Sequence, residues 1–199
     1  MYRLYGMSGS GNCYKPKLLL TQLHTPFAWV EKDTRKGETR TPDYLAINPN
    51  GRVPLLEVTP GKYLAESNAM LCYLAEDTSY LPQDRWQRAQ VMQWLFFEQY
   101  SHEPYIAVAR FIMKYLPPEH PRRSELARLH ERGHQALAVM EQHLKRHTFF
   151  VGEHYTIADI ALYAYTHVAD EGGFDLSSYT AVRKWLENVR SQPGHIAMS

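Results

Sequence analysis

The feature that most constrains the fold is a change of hydrophobic pattern about two fifths of the way along the chain. Before it, short segments alternate between the two-residue period of strands and the wider spacing of helices, with turn residues between them. From Arg85 onward the strand pattern disappears and only helical spacing remains. The predicted fold class is therefore α/β in the order β-α-β-α-β-β-α, followed by an all-helical part. The expected strands are 2–6, 28–32, 53–58 and 63–65, and the expected helices of this first part are 13–24, 41–45 and 68–76.

The same change of pattern predicts two domains. Residues 1–77 are expected to form a domain with a mixed four-stranded sheet, because a β-α-β start gives a parallel pair and the later hairpin is antiparallel. Residues 78–87 are predicted to be a polar linker, and residues 88–199 a domain made only of helices. The helices of this second part are expected at about 86–115, kinked at Pro104, at 122–146, from Thr156 onward, and at 181–190.

The composition limits the classes of function open to the chain. Its 22 Lys and Arg residues against 21 Asp and Glu residues give a net charge of +1, too small a surplus for a protein that neutralises nucleic-acid phosphates. No stretch approaches the ~18 uncharged apolar residues that a membrane helix needs, and the first residues do not resemble a secretory leader. Two cysteines are typical of a reducing compartment, which predicts a cytoplasmic location. We therefore expect neither nucleic acid nor a membrane as a partner.

The ten histidines raise the question of a metal site. Two pairs, His130 with His134 and His143 with His147, have the i,i+4 spacing that puts two side chains on one face of a helix. No set of cysteines or carboxylates completes a ligand shell around either pair, so no metal site is expected.

Four segments carry a resemblance to a known family. They are S-G-N-C-Y-K at 10–15, N-P-N-G-R-V-P at 48–54, E-S-N-A at 66–69 and T-I-A-D at 156–159. In this order and at these spacings, they resemble the cytosolic glutathione transferases over essentially the whole chain. The resemblance implies a thioredoxin-like domain that binds glutathione as co-substrate, and a helical domain that lines an electrophile pocket in the cleft between the two. It also implies a homodimer.

The resemblance places most of the tripeptide glutathione along the first domain. The peptide bond Val53–Pro54 should be cis, which puts the backbone N–H and C=O of Val53 where they pair with the cysteinyl part of the ligand. Glu66 and Ser67 should receive the γ-glutamyl end. Glu66 can pair with the ligand ammonium group, and Ser67 is expected to cap a helix whose free N–H groups suit a carboxylate.

The residue that binds the glycyl carboxylate of glutathione is left open. Arg52 or Lys15 could reach it, and the sequence does not choose between them. Arg40 and Asn50 are further candidates on the same rim.

The catalytic requirement is a thiolate. A free thiol with a pKa of about 8.5 is only a few per cent ionised at pH 7, and lowering that pKa by ~2 units needs about 2.7 kcal/mol of preferential stabilisation. Ser10 lies just before the first helix, so its hydroxyl and the helix N-terminus could both stabilise the sulfur anion. Its position matches the activating serine of the Ser-type classes. Asn12 adds an amide donor, and Ser8 is the competing hydroxyl.

Asn12 also bears on which reaction the thiolate performs. A bacterial branch of the family has Thr-Pro-Asn or Ser-Pro-Asn at this turn, and some of its members reduce disulfides with glutathione. Here Gly11 stands in place of that proline. The resemblance as a whole implies a transferase that conjugates glutathione to small hydrophobic electrophiles, with detoxification as its role. The alternatives are a glutathione-dependent disulfide-bond oxidoreductase and a non-catalytic binding or interaction protein with the same fold.

Several of these residues also have a purely structural explanation. Ser10 could simply cap the first helix, and Cys13 could pack beneath the loop as a small apolar side chain. The segment 156–159 has the form of a capping box, which stabilises the start of a helix. Tyr105 and Arg110 are candidates for the electrophile pocket because they lie in or just after an unusually polar and aromatic helical stretch. Arg110 could equally be an ordinary ion-pair partner.

Overall fold

The structure is a computed structural model that describes residues 1–198 of the chain. Its backbone separates into two compact units. The first unit comprises Met1–Thr78 together with residues 193–198 of the C-terminal tail, and the second comprises Ser79–Gln192.

The C-terminal tail departs from the predicted domains, which placed it with the helices. The Tyr14 hydroxyl donates a hydrogen bond to the Ile196 carbonyl oxygen over 2.6 Å. Gly194, with a φ of +71°, lies directly against the backbone of Gln22. These contacts with the first helix explain why the tail groups with the first unit.

Among the described residues, the first unit contains four strands and three α-helices. They are β1 (Tyr2–Gly6), α1 (Gly11–Gln22), β2 (Phe27–Glu31), α2 (Pro42–Ile47), β3 (Leu55–Thr59), β4 (Lys62–Ala65) and α3 (Ser67–Ala75), with a short 3-10 turn at Thr34–Lys36. β1 pairs in parallel with β2 and antiparallel with β3, which pairs antiparallel with β4. The sheet order is β2-β1-β3-β4, so the predicted element order and the mixed four-stranded sheet are confirmed.

The core of this unit brings two helix N-termini together. Apolar side chains of the sheet and of both α1 and α3 are buried, and burial of such surface is the main stabilising contribution to the fold. They include Leu4, Leu18, Leu19, Leu20, Leu55, Leu56, Met70 and Leu71. Because α1 packs against α3, Ser67 Oγ at the start of α3 lies 3.3 Å from Asn12 Oδ1 at the start of α1.

The helix starts refine the sequence predictions. α1 begins at Gly11, earlier than expected, because Ser10 caps it. α2 begins as predicted, with Thr41 as the cap and a proline at the first position. The prediction that Ser67 caps α3 is wrong: the cap position belongs to Glu66, whose φ is +66°, and Ser67 is the first residue inside the helix.

The second unit is built from five α-helices within the described residues. They are α4 (Arg85–Phe97), α5 (Glu103–Tyr115), α6 (Leu126–Leu144), α7 (Ile157–Thr166) and α8 (Thr180–Arg190), with short 3-10 turns at Pro121–Glu125 and Ala169–Gly172. Since α4 starts at Arg85, residues 85–87 are helical and are not part of a linker.

The predicted long helix at 86–115 is divided in the middle. A π-helical turn at Glu98–His102 separates α4 from α5, and the Glu103 N–H bonds to the Glu98 carbonyl five residues earlier. Pro104 follows directly in the first turn of α5. A proline has no N–H to give to a preceding carbonyl, so the wider turn accommodates the missing bond.

Helix α7 forms the centre of the second unit, and all ten of its residues are buried. The predicted capping box is present: Thr156 and Asp159 satisfy the first N–H groups of α7 reciprocally. Within residues 1–198, no helix combines the length and the apolar character needed to cross a bilayer.

Candidate functional site

Ser10 lies where its hydroxyl can cap helix α1 and also donate a hydrogen bond to a ligand. Its Oγ accepts a hydrogen bond from the Cys13 N–H over 3.4 Å, and its own N–H donates to the Met7 carbonyl over 3.1 Å. The capping bond uses only an acceptor site on Oγ, and a hydroxyl keeps its one proton as a donor. Ser10 is half-buried. Capping α1 and donating to a ligand sulfur are therefore compatible roles.

Ser8, the competing hydroxyl, already has an acceptor for its proton. Its Oγ donates to Glu31 Oε2 over 2.9 Å, and its backbone N–H donates to Glu31 Oε1 over 2.8 Å. Trp29 Nε1 donates to the same carboxylate over 2.7 Å. Partial burial opposes ionisation of Glu31, but these three donors outweigh it and lower the pKa of the carboxyl group. The geometry thus favours Ser10 over Ser8 as the hydroxyl that serves a thiolate.

Cys13 packs beneath the loop. Its thiol is buried and accepts from the Met7 N–H over 3.3 Å. Burial raises the pKa of Cys13 to about 11, although bonds from Ser10 and from the Met7 backbone act in the opposite direction. The side chain is therefore a neutral thiol near pH 7, as expected for a packing residue.

Asn12, Ser67 and Lys15 form one cluster where α1 meets α3. Lys15 Nζ lies 3.3 Å from Ser67 Oγ and 3.3 Å from Asn68 Oδ1. Lys15 is completely buried. Its ammonium group thus lies beside the first residues of α3, and the contact of Lys15 with a glycyl carboxylate stays a prediction.

Two side-chain hydrogen bonds to the Arg52 carbonyl oxygen fix the loop before β3. The Arg52 oxygen accepts from the Tyr44 hydroxyl over 2.8 Å and from Asn48 Nδ2 over 2.9 Å. Gly51 has a φ of +60°, and a Cβ there would lie 2.9 Å from the Thr39 carbonyl oxygen, so glycine is required. Sequence reasoning missed Tyr44 and Asn48 as supporting residues, although Asn48 opens the turn that signalled this loop.

The Val53–Pro54 peptide bond is cis, as expected. Neither backbone polar group of Val53 has a hydrogen-bond partner among residues 1–198, and Val53 is half-buried. An N–H and a C=O that face no protein partner are suited to pair with the backbone of a peptide ligand.

The remaining predicted binding residues surround this loop and the start of α3. Arg40 Nη1 donates to the Asn50 carbonyl over 3.2 Å, and both residues are exposed. Arg52 is exposed, and the described part of the chain gives its guanidinium no partner. The Glu66 side chain is likewise exposed and makes no capping bond. Arg52 is thus the candidate cation for a ligand carboxylate, and Glu66 the candidate anion for a ligand ammonium.

The two candidates in the helical unit have different surroundings. Arg110 is 4% exposed, and its Nε lies 2.7 Å from Glu171 Oε2, which also lies 2.7 Å from Lys114 Nζ. Arg110 therefore has the ion-pair role that its sequence position left open. Tyr105 lines an open cavity of about 340 Å³ together with aromatic, polar and aliphatic side chains, among them Phe97, Tyr100, Arg132 and Val139.

The described residues offer no ligand set for a metal ion. Among residues 1–198, no group of three or more His, Cys, Asp or Glu side chains is arranged to hold a metal ion. His134 instead lies 2.9 Å from the Tyr179 hydroxyl, and His143 packs against Trp94 and Phe150.

Comparisons with known proteins agree with this geometry. Two family profiles match the chain: the N-terminal domain of glutathione S-transferase over residues 1–76, and its C-terminal domain over residues 105–193. The crystal structure of a glutathione S-transferase from Pseudomonas fluorescens Pf-5 superposes with a TM-score of 0.96 at 56% identity, covering 99% of this chain and 98% of that one.

Two further proteins extend the comparison. The structure of Ure2p in complex with glutathione has a TM-score of 0.86 at 25% identity, covering 97% of this chain and 95% of that one. The disulfide-bond oxidoreductase YfcG of Escherichia coli is 30% identical over 189 residues, 92% of this chain and 87% of that protein. By profile, sequence and fold, the chain belongs to the glutathione S-transferase family.

Proposed function

We propose that the protein is a glutathione transferase whose Ser10 hydroxyl stabilises the thiolate of bound glutathione. The thiol gives up its proton to solvent, and the thiolate then attacks an electrophilic carbon of a small hydrophobic substrate. As the C–S bond forms, the bond from that carbon to its leaving group breaks, and the leaving group departs with the electron pair, as halide does from an aryl halide. The observation that carries the proposal is the position of Ser10, whose Oγ caps α1 by accepting from the Cys13 N–H. The acceptor role in the cap does not use the hydroxyl proton, and we assign that proton to the ligand sulfur in place of the buried Cys13 thiol. Detoxification is the role that this activity would serve.

The free energy required is within reach of these groups. Lowering the thiol pKa by ~2 units needs about 2.7 kcal/mol. A hydrogen bond to a charged group contributes roughly 1.5–3 kcal/mol, and a charge at a helix N-terminus gains about 0.3–1 kcal/mol. The Ser10 hydroxyl and the N-terminus of α1 can therefore supply the shift together, with Asn12 as an additional donor.

Recognition of the tripeptide would use three parts of the first unit. The unpaired backbone groups of Val53 would bind the cysteinyl part, since they lie on a loop fixed at the Arg52 carbonyl. The exposed carboxylate of Glu66 would bind the γ-glutamyl ammonium, and the N–H groups at the start of α3 with Ser67 would bind its carboxylate. Arg52 would bind the glycyl carboxylate, with Arg40 and Asn50 beside it.

A second candidate is a glutathione-dependent disulfide-bond oxidoreductase, favoured by Asn12 in the first turn of α1 and by the similarity to YfcG. In this reaction the thiolate attacks one sulfur of a disulfide, the S–S bond breaks, and the other sulfur leaves as a thiolate that takes a proton from solvent. A second glutathione resolves the mixed disulfide, releasing the substrate thiol and glutathione disulfide.

The test is a titration of glutathione and of its disulfide into wild type, Ser10→Ala and the matched variant Ser8→Ala. Thiolate absorbance of the bound ligand is followed against pH. We expect a thiol pKa about 2 units below its free value in wild type and Ser8→Ala, and a loss of most of that shift in Ser10→Ala. An unshifted pKa in all three proteins would refute the proposal, and so would a Ser8→Ala variant that alone loses the shift.

Activity assays separate the candidate functions. Conjugation of an aryl halide that falls in Ser10→Ala supports the transferase. Reduction of a mixed disulfide without comparable conjugation, together with tighter binding of glutathione disulfide than of glutathione, would assign the oxidoreductase. Failure of glutathione to bind at millimolar concentration would leave the non-catalytic interaction protein.

The homodimer is also part of the proposal. Trp86, Phe96 and Tyr100 are 70%, 70% and 83% exposed, and their spacing along α4 and the following turn puts them on one face. Exposed apolar side chains aligned in this way are typical of a protein interface. We therefore assign this face to contact with a second copy of the chain. The cytoplasmic location remains a prediction from the low cysteine content.

A further inference from the structure

The carboxylate of Glu31 accepts three hydrogen bonds beside the loop that leads to Ser10. Glu31 is the last residue of β2 and pairs with Gly6, the last residue of β1, so the two parallel strands end at the same edge of the sheet. Its Oε1 accepts from the Ser8 N–H over 2.8 Å. Its Oε2 accepts from the Ser8 hydroxyl over 2.9 Å and from Trp29 Nε1 over 2.7 Å. Hydrogen bonds to an ionised acceptor are roughly twice as strong as those between neutral groups, so Glu31 is a strong anchor for Ser8.

Trp29 is packed so that its indole N–H points at this carboxylate. It lies on the same face of β2 as Glu31, since the side chains of a strand alternate between its two faces. The indole ring lies over Gly6, where an added Cβ would come within 2.3 Å of a ring carbon. On the ring itself, Lys17 Nζ lies 5.0 Å from the centroid. These contacts hold the indole, and the indole orients the Glu31 carboxylate toward Ser8.

The anchored residue belongs to the turn that ends at Ser10. The Ser10 N–H donates to the Met7 carbonyl over 3.1 Å, which closes a four-residue turn over residues 7–10. Gly9, at the third position of this turn, has a φ of +77°, which glycine adopts without strain. The turn's own hydrogen bond does not use the Ser8 N–H, and Glu31 supplies the acceptor for it. The position of Ser10 therefore depends on a turn that Glu31 holds from outside.

We propose that Glu31 is a positioning residue for the thiolate: through Ser8 it fixes the turn over residues 7–10 and so holds the Ser10 hydroxyl where it donates to the sulfur of bound glutathione. The inference rests on the proposed function, since it concerns the same bound thiolate. A glutamine side chain in place of Glu31 has one oxygen for three donors, and its NH₂ group would face at least one of them. The turn would then lose its anchor, and Ser10 would donate to the sulfur less well.

The charge of Glu31 by itself acts in the direction opposite to positioning. A negative charge near a thiol disfavours the thiolate and raises the thiol pKa. At the start of α1, burial is the main reason why the pKa of Cys13 is raised to about 11, and the Glu31 charge acts in the same direction. Neutralising Glu31 should therefore lower the pKa of the bound thiol if only its charge matters, and raise it if Glu31 positions Ser10. The sign of the shift separates the two explanations.

The experiment measures the pKa of the thiol of bound glutathione, at saturating ligand, in wild type, Glu31→Gln, Ser10→Ala and the double variant. We expect Glu31→Gln to reduce the ionisation constant of the thiol about threefold, which is a rise of about half a unit in its pKa. In the Ser10→Ala background this rise should vanish, because no hydroxyl is left to be positioned. The matched control is Glu38→Gln, since Glu38 Oε2 accepts from the Asp33 N–H over the same 2.8 Å; it should leave the thiol pKa unchanged.

Several results would overturn the inference. A lower or unchanged thiol pKa in Glu31→Gln would leave only the charge of Glu31, or no role at all. An equal rise in the Ser10→Ala background would show that the effect does not pass through Ser10. If Glu31→Gln does not fold, Trp29→Phe replaces it in the cycle, because it removes the donor that orients the carboxylate and keeps the charge; a rise that requires Ser10 would support positioning, and an unchanged pKa would refute it. An unshifted thiol pKa in wild type would instead be the failure of the proposed function.

Discussion

Replacing Asp159 with asparagine tests how the helical unit is held together. The carboxylate is completely buried at the start of α7. Its oxygens accept four hydrogen bonds from three different segments, and the side chain therefore ties the loop before α7 to α8. The donors are Phe150 N at 3.1 Å and Trp185 Nε1 at 2.9 Å on Oδ1, and Thr156 N at 2.9 Å and Thr156 Oγ at 3.2 Å on Oδ2.

The expected loss of stability follows from these contacts. Asparagine keeps one oxygen for the Phe150 and Trp185 donors, but its NH₂ group replaces the oxygen that faces Thr156. A buried donor left unsatisfied costs about 1–3 kcal/mol, so two lost bonds give a loss of roughly 2–6 kcal/mol. For a chain of this size that is about 4–24 °C in the melting temperature. Thermal and urea unfolding followed by tryptophan fluorescence measure it, with the exposed Asp170→Asn as control.

The pH dependence gives the sharper test. Burial raises the pKa of Asp159 to about 6 despite the four hydrogen bonds, whereas an unfolded aspartate keeps a value of about 3.9. Between these values the folded state binds more protons than the unfolded state, so the stability from this group falls as pH rises from about 4 to about 6. The asparagine side chain of the variant does not titrate. The free energy of unfolding of wild type minus that of Asp159→Asn should therefore depend on pH across this window. It should increase as the pH is lowered from about 6 to about 4. A difference that stays constant or moves the other way, after correction by Asp170→Asn, would refute the raised pKa.

Two further predictions concern the glutathione loop and the exposed aromatic face. Tyr44→Phe removes one of the two hydrogen-bond donors to the Arg52 carbonyl, a bond worth about 1 kcal/mol, so calorimetry should show glutathione affinity reduced about fivefold. The control variant Tyr63→Phe should bind glutathione with wild-type affinity. Unchanged affinity in Tyr44→Phe would contradict the supporting role of this hydroxyl. Phe96→Glu places a charge on the proposed dimer face, so light scattering should show a monomer. The control variant Phe111→Glu should keep the wild-type mass. A Phe96→Glu protein with the wild-type mass would contradict the assignment of this face to the dimer.

The parts of the fold that could be predicted are those encoded by short segments. Strand alternation, turn residues and the Thr156–Asp159 capping box each act within a few residues, and the corresponding elements are present. The cap of α3 could not be predicted in the same way. A serine before a helical segment favours the cap position, but here Glu66 adopts a positive φ that non-glycine residues seldom have. The helix therefore starts at Ser67, one residue earlier than its sequence indicates.

Lys15 shows why a candidate site residue can be found by its motif while its burial is not predicted. Lysines are almost never fully buried, so the sequence favours a position on the rim of the site. The observed position depends on α1 packing against α3, which brings Lys15 to residues more than fifty positions away in the chain. No local pattern in residues 10–15 encodes that contact.

The binding sites for the two substrates of the proposed reaction differ in how far the sequence predicts them. The proposed contacts to glutathione lie at turns and helix starts, where local sequence determines which backbone groups are exposed, so short motifs suffice to predict the class of ligand. The second substrate would be selected by side chains of the helical unit, whose surroundings depend on packing between distant segments. Arg110 is the example: its Nε is bound by Glu171, sixty-one residues later. Tyr105, which lines a cavity formed by residues of α4, α5, α6 and the π-helical turn, stays the better position at which to vary substrate choice.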